Sequence, residues 1–98
     1  MIGGSDGAQA TVRYALSQKT LIQRVAGESV LLDLESGRYY GLDEVGTRML
    51  ELVRDEGGID EVVAAIVAEY DVTEDRVRTD LMDLLAKLEA HGLVHRSA

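Results

Sequence analysis

The sequence predicts an α+β domain in which three antiparallel strands are followed by three helices. Residues 20–42 have the composition of β-strands and are interrupted by two turns that contain glycine. Residues 43–94 instead carry apolar side chains at helical spacing. A chain of 98 residues, 46% apolar and 29% charged, is long enough for one folded domain with a single core.

The composition excludes several classes of protein. The chain has no cysteine, so we expect neither a disulfide nor a thiolate metal site. No run approaches the roughly 18 apolar residues of a membrane helix, and the N-terminal residues lack the pattern of a signal peptide. Eighteen acidic against ten basic residues give a formal charge of −8, which disfavours binding to nucleic-acid phosphates. We therefore expect a cytoplasmic protein.

The N-terminal residues show no periodic pattern. Residues 1–10, "MIGGSDGAQA", are rich in small residues and predict a flexible tail. The segment Thr11–Leu16 has the composition of a short strand or of an extended arm. We therefore divide the chain into a flexible N-terminal arm, residues 1–18, and a folded domain, residues 19–96.

The first two predicted strands form a hairpin. "TLIQRV" (Thr20–Val25) and "SVLLDL" (Ser29–Leu34) have β-type composition, and the segment Ala26–Glu28 between them is a turn. The third strand is "RYYGL" (Arg38–Leu42), which holds two of the four aromatic residues of the chain.

The turn before the third strand sets its register. A three-residue loop at Glu35–Gly37 pairs Leu34 with Arg38 and places Gly37 in the left-handed conformation that glycine tolerates. The alternative, a two-residue Ser-Gly turn, pairs Leu31 with Leu42. We favour the three-residue loop because it gives one coherent apolar face, and a slip by one residue reverses every side chain. That face holds Val30, Leu32, Tyr40 and Leu42, and the opposite face holds Asp33 and Tyr39.

The first two helices are predicted from a cap and from apolar spacing. Asp43 is a good N-cap residue, and the helix that follows it runs to about Arg54, before the sequence "DEGG". The second helix has the clearest period in the chain, with apolar residues recurring every three or four positions from Ile59 to Tyr70.

The third helix runs from about Thr73 to His91. Its apolar positions are Val77, Leu81, Leu84, Leu85 and Leu88. Gly92 follows where a glycine commonly ends a helix, so the next two residues, Leu93 and Val94, can fold back onto the last turn.

A search for catalytic or metal-binding groups finds little. His91 and His95 have the spacing of metal ligands on a helix, but Gly92 interrupts the helix between them and no third ligand is suggested. No serine lies in a nucleophile elbow, and Gly3–Gly7 lacks the frame of a phosphate-binding loop. We therefore expect no enzymatic activity, no metal and no cofactor.

The third helix also carries a run of carboxylates. They are Glu74, Asp75, Asp80, Asp83 and Glu89. Such runs usually face solvent. Asp80 differs from the others because it lies at the boundary of the apolar stripe, where it can contact something that lies beside the helix.

The third strand is an unguarded edge. Natural sheets protect exposed edges with lysine, proline or inward charges, and Arg38–Leu42 has a single arginine. Gly41 allows another backbone to approach closely. Two interpretations remain open: the N-terminal segment Thr11–Leu16 covers this edge, or an extended peptide adds to it as a further strand.

The chain resembles the PqqD-like family, the precursor-peptide recognition elements of pathways that make ribosomally synthesised and post-translationally modified peptides (RiPPs). The resemblance spans about Lys19 to Val94. It is carried by "VLLDLESGRYYGLDEVGTRMLELV" (Val30–Val53) and "VVAAIVAEYDVTEDRVRTDLMDLLAKLEAHGLV" (Val62–Val94).

The resemblance implies a winged-helix-like fold and a peptide-binding function without catalysis. Members of the family bind the leader segment of a precursor peptide as an extra strand, against the third strand and the third helix. They present it to a radical-SAM enzyme, a protease or a cyclase. Carried onto this chain, the groove lies between Arg38–Leu42 and the part of the helix within Arg76–Leu88. The implied site comprises Arg38, Tyr39, Tyr40, Gly41, Leu42, Val77, Asp80, Leu81, Leu84 and Leu88.

Two further hypotheses follow from the fold and the edge. A winged-helix regulator would place the third helix in the major groove of DNA, although that helix is net acidic. An unpaired edge beside a long N-terminal arm also favours a homodimer, formed by edge pairing or by a domain swap.

Overall fold

The computed structural model describes residues 12–97 and has an α+β architecture in which the sheet precedes the helices. Within that range the elements are β1 (Arg13–Leu16), β2 (Thr20–Val25), β3 (Glu28–Asp33), β4 (Tyr39–Leu42), α1 (Glu44–Glu56), α2 (Ile59–Glu69), α3 (Glu74–Ala90) and β5 (Val94–Ser97). The predicted fold class is confirmed, with β2, β3 and β4 as the three predicted strands. The flexible tail predicted for residues 1–10 lies outside the described residues.

The main sheet is antiparallel, with strand order β2-β3-β4. Its first hairpin closes with a two-residue turn at Ala26 and Gly27, whose φ angles are 52° and 90°. Two consecutive positive φ angles match the right-handed twist of the flanking strands. Glu28 pairs with Val25, so it belongs to β3 and not to the turn in which the sequence placed it.

The register of β3 and β4 differs from both predicted registers. Asp33 and Arg38 close a four-residue loop, residues 34–37, and Leu31 lies opposite Tyr40. Leu34 is therefore an exposed loop residue. The cause is the Asp33 carboxylate, whose Oδ1 accepts hydrogen bonds from the backbone N–H groups of Glu35 (3.0 Å) and Ser36 (3.3 Å). These hydrogen bonds stabilise the buried carboxylate of Asp33, which the predicted register places on the opposite face of the sheet.

The new register moves three side chains to the other face of the sheet. The inner face holds Ser29, Leu31, Asp33, Tyr40 and Leu42. The outer face holds Val30, Leu32 and Tyr39. The faces predicted for the two tyrosines agree with the structure, whereas those predicted for Val30, Leu32 and Asp33 were wrong.

The first two helices begin and end close to the predicted positions. The Asp43 side chain accepts a hydrogen bond from the N–H of Gly46 (2.8 Å), which caps α1, and Gly57 ends the helix with a φ of 80°. Gly58 lies at the N-cap of α2. The predicted cap and the predicted stop are both confirmed.

The third helix also ends as predicted. Thr73 caps its N-terminus, and Gly92 follows its last turn with a φ of 72°. The N–H of Leu93 donates to the carbonyl of Leu88 (2.9 Å), so the chain folds back onto the helix. Leu93 and Val94 are consequently buried.

The core lies between the inner face of the sheet and the three helices. Its fully buried members include Leu31 of β3, Leu50 of α1, Ile66 of α2 and Leu81 and Leu85 of α3. Complete burial of one such side chain is worth about 1.5–3 kcal/mol. The three helices and the sheet are therefore held in one body around these residues.

A second, two-stranded sheet joins the two ends of the domain. β1 pairs antiparallel with β5. Tyr14 is buried, and its N–H donates to the carbonyl of Gly57 (2.8 Å). The N–H of Ser17 donates to the carbonyl of Leu93 (2.9 Å). Residues 13–17 therefore pack as part of the domain, and packing does not begin at residue 19 as the predicted boundary implied.

The pairing of β1 with β5 leaves the β4 edge of the main sheet uncovered by β1. Arg13–Leu16 pairs with β5 and contacts the end of α1, and it does not pair with β4. The interpretation in which Thr11–Leu16 covers the third strand is thus wrong for the part of that segment that the structure describes. Among residues 12–97, no helix is both long and apolar enough to cross a membrane.

Candidate functional site

The outer edge of β4 presents backbone groups that point away from the sheet. The N–H of Asp33 donates to the carbonyl of Arg38 (2.8 Å), so these two residues form a hydrogen-bonded pair. In an antiparallel ladder such pairs alternate with non-bonded pairs. Tyr40 and Leu42 therefore direct their N–H and C=O groups to β3, whereas Tyr39 and Gly41 direct theirs outward. No strand within residues 12–97 pairs with this edge.

A groove of about 320 Å³ runs between this edge and α3. Gly41 and Leu42 form its strand side, and Asp80 and Leu84 form its helix side. The floor comes from the start of α1, where Val45 and Met49 lie one turn apart. Asp43 and Gly46 complete the lining. An extended segment placed along β4 would therefore lie over an apolar floor with carboxylates at its rim.

Gly41 leaves the outer face of the strand without a side chain at this point. A Cβ at this position would meet no atom within 4 Å. The outer face of β4 is therefore uncovered beside Gly41, next to the exposed Tyr39.

An aromatic pair connects β4 to the C-terminal end of α3. The rings of Tyr40 and His91 lie 5.0 Å apart at an angle of 40°. The Tyr40 hydroxyl and His91 Nδ1 are 3.3 Å apart, within hydrogen-bond distance. Because His91 caps the C-terminus of α3, this contact connects the strand and the helix that form the two walls.

Two buried hydroxyl groups fix the other end of β4. Ser29 Oγ and Thr47 Oγ1 are 2.8 Å apart in the interior, and Thr47 Oγ1 donates to the carbonyl of Leu42 at 3.5 Å. A buried hydroxyl without a partner is costly, so the pair strongly prefers this arrangement. It ties the end of β4 to the first turn of α1, from which the floor of the groove comes.

The loop that starts β4 is organised by Asp33. Burial of this carboxyl raises its pKa, but hydrogen bonds from Glu35 and Ser36 and the nearby Lys19 ammonium outweigh that effect. The pKa of Asp33 therefore lies below its usual value. Lys19 Nζ lies 3.5 Å from Asp33 Oδ2, so the anion has a charged partner as well as backbone donors.

The structure brings six of the ten predicted site residues to the groove or its strand edge. They are Tyr39, Tyr40, Gly41, Leu42, Asp80 and Leu84. Arg38 precedes β4 and is exposed. The remaining three, Val77, Leu81 and Leu88, are buried in the core at 2%, 0% and 3% exposure. Their side chains support α3 from behind and do not reach the surface of the groove.

Sequence reasoning missed the contribution of α1 and of His91. Val45 and Met49 belong to the apolar face of α1, and both border the groove even though Met49 is almost fully buried. The signal that could have found them is their position directly after the third strand, since a helix that starts there must pass beside its edge.

A separate apolar surface covers the outer face of the sheet. It consists of Leu21, Val30, Leu32 and Tyr39, next to Gln23. Tyr39 is 73% exposed. This surface borders the outward edge of β4, so a strand added there would extend it by one strand.

The described residues offer no constellation suited to metal binding. Among residues 12–97, no group of three or more His, Asp or Glu side chains is arranged to hold an ion. The groove itself presents backbone hydrogen-bonding groups, an apolar floor and two carboxylates.

The comparisons with known proteins give a family for this fold. The family model described as Coenzyme PQQ synthesis protein D (PqqD) matches residues 28–94. Because this match spans more than half of the chain, the protein belongs to the PqqD family. A comparison with curated protein sequences found no significant match.

Two solved structures share the architecture. One is the structure of TbiB1 in complex with the TbiA(beta) leader peptide. Its sequence is 37% identical to this chain, its TM-score is 0.78, and the match covers 86% of this chain and 98% of that one. Lasso peptide synthetase B1 complexed with the leader peptide is 22% identical, with a TM-score of 0.76, and the match covers 85% and 98% of the two chains. At 22% identity, the second likeness concerns the fold alone.

Proposed function

We propose that this protein is an adaptor that binds the leader segment of a ribosomally synthesised precursor peptide. The peptide adds to the outer edge of β4 as a further strand, with α3 as the other wall. The observation that carries this proposal is the pair of outward-facing backbone positions, Tyr39 and Gly41, beside an apolar groove. TbiB1, at 37% identity, was solved with a leader peptide, which supports the same kind of ligand here.

Strand addition determines which parts of the peptide meet which surface. Antiparallel addition continues the pattern of the existing sheet and is the more stable pairing. Peptide residues opposite Tyr39 and Gly41 would exchange hydrogen bonds with them and point to the outer face. Residues opposite Tyr40 and Leu42 would point inward, between β4 and α3. Main-chain bonds thus supply affinity, and the inward positions supply specificity.

The proposed contact set is narrower than the one that the sequence predicted. It comprises Tyr39, Tyr40, Gly41, Leu42, Asp80 and Leu84, with Arg38 at the entrance and Val45 and Met49 as the floor. Val77, Leu81 and Leu88 take no part in contact with the peptide because their side chains are buried.

The adaptor performs no chemical step of its own in this proposal. It holds the leader while the attached core peptide reaches a separate enzyme, which is a radical-SAM enzyme, a protease or a cyclase. The groove supplies a pattern of donors, acceptors and apolar surface for one strand, which is suited to binding and not to bond cleavage.

Amide hydrogen exchange tests the proposal, with the TbiA(beta) leader peptide as the first probe. In the free protein the amides of Tyr39 and Gly41 should exchange fast, and those of Tyr40 and Leu42 should be protected by β3. Addition of peptide should protect Tyr39 and Gly41. Saturable binding that leaves both amides fast, with chemical-shift changes confined to another face, would exclude strand addition.

The DNA-binding alternative finds no support among the described residues. α3, which would have to enter the major groove, carries five acidic and three basic side chains. Phosphate contacts need lysine and arginine, and their number sets the salt dependence of binding. A gel-shift assay on duplex DNA at low and moderate salt checks this directly, and binding with a steep salt slope would favour a regulator.

The free edge also favours weak self-association. β4 of a second copy offers the same outward groups and no charged side chain within the strand, so two edges can pair about a twofold axis. We expect peptide to compete with such a dimer. Sedimentation at rising protein concentration, with and without the TbiA(beta) leader peptide, measures both effects.

A further inference from the structure

Charged side chains are separated along the length of the groove. Asp43 and Asp80 line the end at which β4 finishes. The opposite end, where β4 begins, has Arg38 before the strand and the Tyr40–His91 pair across the groove. The strand thus runs from Arg38 at one end to two carboxylates at the other. Any peptide strand that pairs with β4 therefore has Arg38 near one end and the two carboxylates near the other.

Both carboxylates at the acidic end retain capacity to accept a further donor. Asp43 uses Oδ1 to accept the N–H of Gly46. Asp80 Oδ2 lies 3.1 Å from Arg76 Nε in a pair one helical turn apart, with the two side chains 49% and 75% exposed. Exposed pairs of this kind are worth only about 0.3–0.5 kcal/mol, so a ligand cation can compete with Arg76.

The inward position opposite Leu42 lies next to this acidic end. A side chain there passes Leu84 and Met49 before it reaches the rim. Lysine and arginine fit both parts of this path, because their stems pack on apolar surface and their cationic ends remain at the rim. Aspartate or glutamate at the same position would meet two carboxylates of like charge.

On the basis of the proposed function, we propose that the groove selects peptide segments with Lys or Arg at the inward position opposite Leu42. Asp80 and Asp43 are the specificity-determining residues for this position. The net charge of −8 adds long-range attraction for such segments, but the local pair of carboxylates determines where along the strand the cation lies.

A phage library of random linear peptides tests the proposal without knowledge of the natural ligand. Peptides are selected on the intact protein, and those that also bind the Gly41→Pro variant are subtracted. The remaining sequences depend on the outward N–H of Gly41. Aligned on their β-type alternation, they should show Lys or Arg enriched about two- to fivefold at one position, the preference expected of a partly exposed ion pair.

Charge reversal identifies the residue responsible. Selection on Asp80→Lys should replace the Lys or Arg preference by Asp or Glu at the same position. Asp83→Lys is the matched control, because Asp83 is an exposed carboxylate of the same helix that lines a different surface, with Met82 and Thr79. It changes the net charge equally and should keep the preference of the unaltered protein. Circular dichroism confirms that both variants fold.

The outcomes separate this inference from the proposed function. Peptides that depend on Gly41 but show no basic preference would overturn the inference and leave strand addition standing. If Asp83→Lys alters the basic preference as much as Asp80→Lys does, the preference reflects net charge alone. This result would also overturn the inference and leave strand addition standing. If no peptide distinguishes the protein from its Gly41→Pro variant, strand addition fails, and the inference fails with it.

Discussion

The two outer edges of the main sheet differ in how they are protected from pairing with another strand. At the β2 edge, Arg24 forms an ion pair with Glu51 of α1, and the N–H of Thr20 is satisfied by the carbonyl of Ser17 (3.1 Å). At the β4 edge, the strand "YYGL" has no charged side chain, and a groove separates it from α3. Charge and local hydrogen bonds are common means of protecting an edge. One edge of the sheet uses them and the other does not.

Under the proposed function, exposure of a strand edge is not by itself a signal for binding. Both edges belong to one three-stranded sheet and share β3 as a neighbour. The β4 edge alone combines outward backbone groups with an adjoining concave surface from a second element. Affinity and specificity need both, because backbone bonds are the same for every peptide.

Proline substitution at each edge gives the largest expected contrast. Gly41→Pro removes an outward N–H and leaves the ladder with β3 intact, so leader binding should weaken by about tenfold to a hundredfold. Arg24→Pro is the matched control, because pairing of β2 with β3 places its N–H on the opposite edge. It should leave binding unchanged. Fluorescence anisotropy of a labelled TbiA(beta) leader peptide measures both affinities.

The thermal unfolding midpoints of the two proline variants complete this test. Proline is tolerated at edge positions whose N–H faces away from the ladder, so both variants should fold. Equal loss of affinity in two folded variants would contradict the assignment of the β4 edge as the binding site.

Truncation of an apolar side chain on the helix wall should have a smaller effect. Leu84→Ala removes surface that a bound strand covers, and affinity should fall about fivefold, which corresponds to about 1 kcal/mol of apolar burial. Met82→Ala is the control, because Met82 is an exposed apolar residue of the same helix on a different surface. Isothermal titration of the two variants compares them, and an equal loss would mean that α3 is not the wall.

The features that could be predicted from the sequence are those decided locally. Asp43 begins α1 because its side chain accepts a backbone N–H, and Gly92 ends α3 because glycine adopts a positive φ. The structure has both helix ends where the sequence predicted them. The register of β4 was not predictable in this way. It depends on hydrogen bonds that backbone N–H groups of the loop donate to the Asp33 carboxylate. These bonds allow a charged residue to lie on the inner face of the sheet. β1 and β5 pair residues about eighty positions apart, and neither strand has a strong pattern of its own.

The lining of the candidate groove could be predicted from the sequence only in part, for a related reason. Apolar spacing identifies the stripe of α3, and the centre of that stripe, Val77, Leu81 and Leu88, is buried in the core. A ligand can contact only the margin of the stripe, where Asp80 and Leu84 lie. Periodicity identifies the face of a helix that avoids water, but it does not show how much of that face the rest of the chain covers.

The loop before β4 should make the stability of the domain dependent on acid pH. The pKa of Asp33 is lowered in the folded state, so its contribution is present above the pKa of the unfolded chain and is lost as pH falls below about 4. Urea midpoints at pH 7 and pH 3 should therefore differ less in Asp33→Asn than in the unaltered protein. Glu35→Gln is the control, because Glu35 is an exposed residue of the same loop that also lies near Lys19. It should change the pH dependence less than Asp33→Asn.

Removal of a single hydroxyl group gives the smallest expected effect and examines how the two walls are joined. Tyr40→Phe loses the contact with His91 Nδ1, and the free energy of unfolding should fall by about 0.5–1 kcal/mol, as for one partly exposed hydrogen bond. Tyr39→Phe changes the neighbouring residue identically on the exposed outer face and should leave stability nearly unchanged. Denaturant unfolding measures both. If Tyr39→Phe costs as much as Tyr40→Phe, the hydroxyl contact with His91 does not contribute to holding β4 against α3.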